Sequence, residues 1–248
     1  MTSPRTLLVI PHYRDAHRLE PFLTDLVRVL PGSFSILVSD DGSPAADGDA
    51  LRKLIGSTAT DGPLVLPPLM NPINRGKGAA VYAGWDSQID GGFDRLAFAD
   101  ADGAVSASEI LRGHRFWEEH AGEFDVLVGS RMEAPGRTVR RRWIRHGCGR
   151  VFAGAVSALT GLPIHDTQCG YKVLTTAAYR TIRPRLQAQG FAFDVELLLL
   201  LQQAGCRLQE FPVDWTDIRD GKVSLMRESL PMLVEVVRTR RRVRAGKP

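Results

Sequence analysis

Asp100 and Asp102, separated by one alanine, close the apolar run Leu96-Ala97-Phe98-Ala99 and are followed at once by Gly103. Two carboxylates at that spacing offer hard oxygen ligands, which suit Mg²⁺ or Mn²⁺ when the cation also holds a diphosphate. The same residues make an ordinary turn, because Asp hydrogen-bonds nearby backbone and Gly supplies positive φ; taken alone, they favour the turn. Their surroundings decide between the two.

Asn74-Arg75-Gly76-Lys77-Gly78 stands at the entry of a predicted helix, where free backbone N–H groups and two cations would face a phosphate or a nucleotide. A glycine-rich helix entry with an exposed lysine is the plainer alternative. The spacing is not Gly-x-x-x-x-Gly-Lys-Ser/Thr, and no Gly-x-Gly-x-x-Gly follows the first apolar run. That disfavours a P-loop kinase, a dinucleotide oxidoreductase and a nucleotidyltransferase. Asp40-Asp41-Gly42-Ser43 offers carboxylates to a base N–H or to ribose hydroxyls, or is a loop. Asp166 and Asp194 are candidate general bases if a hydroxyl must lose its proton. Their structural alternatives are capping a turn for Asp166 and N-capping a helix for Asp194.

The elements that must carry these residues follow from hydrophobic pattern. Apolar, β-branched runs at Leu7–Ile10, Phe34–Val38, Leu64–Leu66, Leu96–Ala99 and Val126–Val128 alternate with helical stretches around 16–30, 77–89 and 106–120. That rhythm predicts an α/β fold with a mostly parallel sheet flanked by helices. In such sheets ligands bind beyond the carboxyl ends of the strands. Each run ends in polar residues there: His12-Tyr13-Arg14-Asp15, Asp40-Asp41-Gly42-Ser43, Asn74 to Gly78, Asp100 to Gly103, and Gly129-Ser130-Arg131. Beyond residue 137 a basic helical stretch is expected through Leu159, then a turn at Gly161-Leu162-Pro163. Asp194 through Ala204 reads as a helix buried in the core, with Gly205 as its C-cap and Leu208 to Val213 returning to the sheet.

At 248 residues, with 44% hydrophobic and 24% charged residues, the chain suits one α/β domain. We expect it to span residues 1–222, with 223–248 as an amphipathic, basic tail. Cys148, Cys169 and Cys206 are widely spaced and lack metal-ligand pairing, so they read as buried thiols in a reducing compartment. Met1 to Ile10 reads as a first strand halted by Pro11 rather than a signal peptide. No apolar run approaches the roughly 20 residues of a membrane span. A net charge of +4 conceals basic clusters at Arg137 to Arg150 and at Arg238 to Lys247. These suit phosphate ligands, anionic lipid or nucleic acid, or simply solvated helix faces. Reader motifs and interleaved aromatics are lacking, so nucleic acid is not the expected partner. In the last stretch Pro231 is expected to interrupt any helix, and a terminal helix packed on the domain is the alternative to surface attachment.

In their order along the chain, these pieces resemble the GT-A fold family 2 glycosyltransferases, inverting enzymes that use nucleotide sugars. The dolichyl-phosphate β-glucosyltransferases are the nearer group and the dolichyl-phosphate mannose synthases the more distant. The similarity runs from Val9 to Lys222 and is carried by Gly76-Lys77-Gly78-Ala79-Ala80, Phe98 through Ala104, Gly129-Ser130-Arg131, Asp166 through Lys172, Phe193 through Leu198, and Glu210 through Trp215 followed by Lys222. It implies a GT-A, Rossmann-like fold with an acceptor-side elaboration. Asp40 or Asp41 and Arg75 would contact uridine, with Pro11, Tyr13 and Asp15 beside them. Lys77 would lie near the nucleotide, and Asp100, Ala101 and Asp102 would hold ribose and a diphosphate bound to Mg²⁺ or Mn²⁺. Gln168 would border the donor sugar. Ser130, Arg131, Arg142 and Lys222 would receive the acceptor phosphate. The chain departs from the pattern at Ala45, where an aspartate is usual, and at Pro11-His12-Tyr13-Arg14-Asp15, which stands for Pro-x-Tyr-Asn-Glu. The eukaryotic members also carry an N-terminal membrane helix, which this sequence does not show.

The expected activity is therefore metal-dependent transfer of a hexose, glucose from UDP-glucose, onto a polyprenyl phosphate. Asp102, Arg131, Asp166, Gln168 and Asp194 are the candidate catalytic residues. A phosphate acceptor is already anionic and needs orienting arginines more than a base. A soluble small molecule or nucleoside is the alternative acceptor. The expected location is cytoplasmic, peripheral on the inner face of the membrane.

Overall fold

The structure is a computed structural model that describes residues 4–14, 16–58, 60–132, 134–140, 160–190, 192–216 and 225–245. Leu7, Leu8, Val9 and Ile10 are all fully buried, as befits a parallel strand covered on both faces. They form β1 (Thr6–His12), which pairs in parallel with β2 (Phe34–Asp40) on one side and β5 (Arg95–Ala99) on the other. Short strands β3 (Leu64–Val65) and β4 (Leu69–Met70) both pair with β2. Beyond β5 come β8 (Tyr171–Thr175), β6 (Val126–Ser130) and β9 (Leu208–Pro212). Only β8 runs antiparallel to its neighbours among the described strands.

Alternate side chains along each strand point to opposite faces and so build two cores. Leu7, Val9, Leu37, Leu96 and Phe98 face α3 (Lys77–Ser87), α5 (Thr176–Ile182), α6 (Phe193–Gln203) and α7 (Leu225–Arg244). Leu8, Ile10, Ile36, Val38 and Ala97 face α1 (Ala16–Val29), α2 (Ala45–Ser57) and α4 (Ala107–Glu119). The buried residues of α1, Leu19, Phe22, Leu23 and Leu26, lie on one helical stripe. α3 sits hard on the sheet: a Cβ on Gly84 would come within 2.6 Å of Val9 Cγ1, and Trp85 Nε1 donates to Ala97 O at 3.0 Å. α6 is buried from Phe193 to Leu201, as its apolar sequence predicts, and Gly205 follows it with φ +81°.

Three sequence readings are corrected. The basic stretch after 137 begins not as helix but as β7 (Val139–Arg140), parallel to β10 (Trp215–Thr216), because Trp215 N finds an acceptor in Thr138 O. Residues 141–159 lie outside the described ones. α7 continues through Pro231, since one proline deletes a single i→i−4 bond and the flanking turns carry the helix on; Pro21 sits inside α1 in the same way. Ala192, not Asp194, caps α6, and Asp194 turns inward from its first turn. α2 was not legible, since only Gly48, Leu51 and Ile55 are buried along it. Val236 and Val243 of α7 join the core, so this part of the expected tail packs on the domain. No helix among the described residues is long and apolar enough to cross a membrane.

Candidate functional site

Strand order reverses at β1, whose neighbours β2 and β5 run out on opposite sides. The crevice beyond the carboxyl ends of β1 and β5 is therefore the expected binding place in an open α/β sheet. His12 at the end of β1 lies in register with Asp40 at the end of β2, and its Nδ1 is 2.9 Å from Asp40 Oδ1. Asp40 also accepts from Ser43 N at 2.8 Å and Ser43 Oγ at 2.6 Å, while Asn71 Nδ2 donates to its carbonyl at 2.7 Å. Its carboxylate is thus turned into the loop.

Asp41 does similar work on the next loop. Its two oxygens accept from Arg75 N at 2.9 Å and Gly76 N at 2.8 Å, fixing the approach to α3. Burial, opposed by those N–H groups, raises its pKa. Gly42, with φ +71°, lets the loops close: a Cβ there would lie 2.4 Å from Ile73 C. Tyr13 is exposed at the rim, and Arg14, at φ +52°, donates its N–H to Ser43 Oγ at 2.9 Å. Pro11 lies within β1, the Arg75 side chain is exposed, and Asp15 is outside the described residues.

Lys77, the first residue of α3, places Nζ 2.6 Å from Asp100 Oδ1 and over the rings of Phe98 and Phe193 at 5.1 and 5.5 Å. Burial works against its charge, but Asp100 and Asp194 outweigh that and raise its pKa. Asp102 Oδ1 accepts from Ala104 N at 3.0 Å, so the turn reading of Asp-x-Asp-Gly also holds, with Gly103 at φ +68°. The two readings are compatible, because that turn keeps Asp102 beside Asp100. Burial and the charge of Asp100 push the Asp102 carboxyl up. Crowded, partly desolvated carboxylates of this kind suit a hard divalent cation. Among the described residues no group of three or more protein ligands gathers, so such a cation would draw its remaining ligands from phosphate and water.

At the same edge of the sheet, Arg131 follows β6 and is held by Asp166: Nε to Oδ2 at 2.7 Å, Nη2 to Oδ1 at 2.8 Å, and its backbone N to Oδ2 at 2.8 Å. Burial would raise the Asp166 pKa, but Arg131 overrides it and holds the carboxyl below the usual range. Asp166 therefore stays ionised and is a poor proton acceptor. Gln168 N donates to Asp166 Oδ1 at 3.3 Å, Trp215 stacks its ring 5.6 Å from the guanidinium, and Ser130 is buried beside it. The two sides meet at Gly170, whose carbonyl accepts from Asp100 N at 2.9 Å and whose added Cβ would fall 2.1 Å from Asp100 Oδ2. Ala101 lies part-buried in that turn, and Arg142 and Lys222 are outside the described residues.

Behind this surface the fully buried Lys172 donates to Asp194 Oδ1 at 2.5 Å and to Cys169 O at 2.9 Å. Burial raises the Asp194 pKa against the pull of Lys172 and Lys77. Sequence reading missed four supporting residues. His12 and Lys172 meet Asp40 and Asp194. Glu210 accepts from Asp166 N at 3.0 Å, and Glu109 receives Arg112, Arg137 and Asp214 N. Apart from Arg112, three residues from Glu109, their partners lie far off along the chain, so little local pattern announces them beyond that i,i+3 pair and the capping-box spacing of Ser106 and Glu109.

Among solved structures, glucosyl-3-phosphoglycerate synthase from Mycobacterium tuberculosis, in complex with Mn²⁺, UDP and glucosyl-3-phosphoglycerate, is similar at TM-score 0.65 and 15% identity, covering 99% of this chain and 81% of that one. Mannosyl-3-phosphoglycerate synthase from Rubrobacter xylanophilus is similar at TM-score 0.66 and 15% identity, covering 99% and 76%. They share the GT-A fold. Dolichyl-phosphate beta-glucosyltransferases of Trichomonas vaginalis and Dictyostelium discoideum are each 30% identical, over 97% and 96% of this chain and 72% and 75% of theirs. The family model described as Glycosyl transferase family 2 matches residues 7–183, and with relatives alike along most of both chains it follows that this chain belongs to glycosyl transferase family 2.

Proposed function

We propose that the protein transfers glucose from UDP-glucose to a polyprenyl phosphate, with inversion at the anomeric carbon. The observation that carries this reading is the placing of Arg131, locked by Asp166, across Gly170 from the Lys77–Asp100–Asp102 cluster. An anionic acceptor and a diphosphate-linked donor would thereby be held on facing sides of one crevice. Likeness to dolichyl-phosphate beta-glucosyltransferases over 97% of the chain supports the choice of sugar and acceptor.

Asp100 and Asp102 would hold Mg²⁺ or Mn²⁺, which when bound offsets the charge that builds on the leaving diphosphate. Lys77 lies where its ammonium can meet the same phosphates. Loops 41–43 and 74–76, tied together by Asp41, would receive the uridine. Arg131 orients the acceptor phosphate, which attacks without help from a strong base. Asp166 keeps that guanidinium in place, and Asp194 with Lys172 supports the floor beneath Lys77. Arg238, Arg241 and Arg244 on the exposed side of α7 give a basic surface for peripheral contact with anionic lipid, each contributing about 1 kcal/mol near the membrane.

Purified protein incubated with UDP-glucose, Mn²⁺ and a short polyprenyl phosphate should release UDP and form a glycolipid. Absence of both products, with UDP-galactose, UDP-mannose and UDP-N-acetylglucosamine also inert, would overturn the reading. A second reading keeps the donor and takes a soluble phosphate-bearing acceptor. It is favoured by the fold shared with a synthase solved with phosphoglyceric acid. Turnover with 3-phosphoglycerate and none with polyprenyl phosphate would select it.

A further inference from the structure

Phe193-Asp194-Val195-Glu196 begins α6, and the site described above gives no role to Glu196. This carboxylate is fully buried. Its Oε2 accepts from Gln187 N at 2.8 Å and from Ala188 N at 2.7 Å, and its Oε1 is bonded by Arg242 of α7. A buried carboxylate left without such partners would cost several kcal/mol. The arrangement therefore fixes the 187–188 backbone relative to both helices.

That backbone leads directly to the start of α3. Gln189 O accepts from Ala79 N at 3.1 Å. A Cβ on Gly76 would lie 2.7 Å from Gln189 O, and one on Gly78 would lie 3.0 Å from Ala188 O and 2.5 Å from Phe193 Cβ. Both glycines are thus required by the closeness of segment 188–190. Residues 76–79 are gripped from two directions, by Asp41 on the loop side and by this segment on the helix side. Arg242 also bears on Glu235, whose carboxyl is raised by burial and by Glu196 and lowered by Arg242. α7 is fastened further along, where Gln203 Nε2 and Arg185 Nη2 donate to Val243 O at 3.1 and 3.3 Å.

We propose that Glu196 is a positioning residue for the nucleotide, acting through segment 187–190 on the N-terminus of α3, and that Arg242 makes the last helix part of the donor site. The inference rests on residues 76–79 being the donor's phosphate cradle. A cradle of backbone amides binds only as well as its geometry is kept, so loosening one wall weakens the hold on the diphosphate, in the bound nucleotide and as it leaves, while the acceptor side is untouched.

The test is UDP binding by calorimetry in Mn²⁺, paired with steady-state kinetics, for Glu196→Gln, Arg242→Met, Arg242→Lys and the double variant Glu196→Gln/Arg242→Met. Expected is a rise of roughly tenfold in UDP Kd and donor KM for Glu196→Gln and Arg242→Met, with acceptor KM within about twofold. Arg242→Lys should recover most of the affinity, and the double variant should be no worse than the weaker single one, because the residues act as one unit. If Glu196→Gln does not fold, Arg242→Met decides, since that side chain is partly exposed. Wild-type UDP affinity in a folded Arg242→Met, with only its melting temperature lowered, would overturn the proposal alone. A wild-type protein that does not bind UDP in Mn²⁺, or binds it equally well as Lys77→Ala, would remove the cradle reading and this inference with it.

Discussion

On the proposed donor side of the crevice, most carboxylates are directed at backbone, although Asp100 also pairs with Lys77 and Asp40 with His12. Asp40 and Asp41 hold the N–H groups of Ser43, Arg75 and Gly76, and Asp102 holds that of Ala104. On the proposed acceptor side the chief contact joins two side chains, Arg131 and Asp166, with Glu109 gathering Arg112 and Arg137 behind it. The first construction shapes loops so that amides, Lys77 and the neighbouring carboxylates of Asp100 and Asp102 meet a ligand. The second holds a charge still. A nucleotide diphosphate, which has a fixed shape, suits the former; a phosphate on a long or variable tail needs only the latter. Each construction has its own mode of failure, and kinetics can separate them.

The largest effect is expected at Asp102. Asp102→Asn should lower turnover by roughly 10²- to 10³-fold, the loss expected when several kcal/mol of metal-borne charge stabilisation is removed. It should also raise the melting temperature of the ligand-free protein at neutral pH. The folded pKa of Asp102 lies above its unfolded value, so ionisation between those two values costs stability, and an uncharged amide avoids that cost. A variant that is both inactive and less stable would contradict the assigned geometry.

Next comes Asp166→Asn, which removes the counter-charge of a largely buried arginine. Losing one partner of such a pair costs about 2–5 kcal/mol in truncation measurements. Acceptor KM should rise at least tenfold while UDP affinity stays within about twofold. Equal damage to both substrates would erase the distinction between the two sides. Asp41→Asn should do the converse, since Arg75 N and Gly76 N donate to different oxygens of Asp41 and the amide puts an NH2 donor against one of them. Each buried donor left unsatisfied costs about 1–3 kcal/mol, so donor KM should rise roughly tenfold with acceptor KM unchanged.

A smaller effect lies in pH. Asp102 is raised, so protonation should weaken metal-dependent UDP binding at a higher pH than an ordinary carboxylate would. Asp166 is depressed. The stability it gives is present above the unfolded aspartate pKa and is lost only as pH falls through the lower folded value. On acidification donor KM should therefore rise before acceptor KM, measured separately at saturating co-substrate. The reverse order would break the comparison. Smallest of all, Cys169, fully buried and with its thiol pushed up to about 12 by burial, should resist alkylation at pH 8 in the native protein, and mass spectrometry should find it unmodified.

The proposed donor side was largely legible in the sequence because its residues stand just past an apolar strand or at the start of a helix. Asp100, Lys77 and Asp41 sit at strand ends or a helix start that local pattern places correctly. The acceptor side was legible only as residue types. Arg131 and Asp166 are 35 residues apart, and their pairing depends on β8 entering the sheet between β5 and β6. No periodicity encodes that. Lys172 was quoted within a motif without a role, since a lysine in a strand gives no sign that it will be fully buried against Asp194. β7 was misread as helix because a two-residue strand takes its conformation from its partner, Trp215–Thr216, rather than from its own sequence.

The placing of β8 has a consequence for how the chain comes off the ribosome. β5 and β6 are synthesised well before residue 171, yet neither pairs with the other; both wait for the strand that separates them. Until it arrives, each presents a row of unpaired N–H and C=O groups on an apolar strand, a template for joining another nascent chain. Truncations ending before Tyr171 should therefore accumulate as aggregates rather than as a soluble nucleotide-binding half. Expression hosts short of holding chaperones should lose more of the full-length protein at this stage than at any later one.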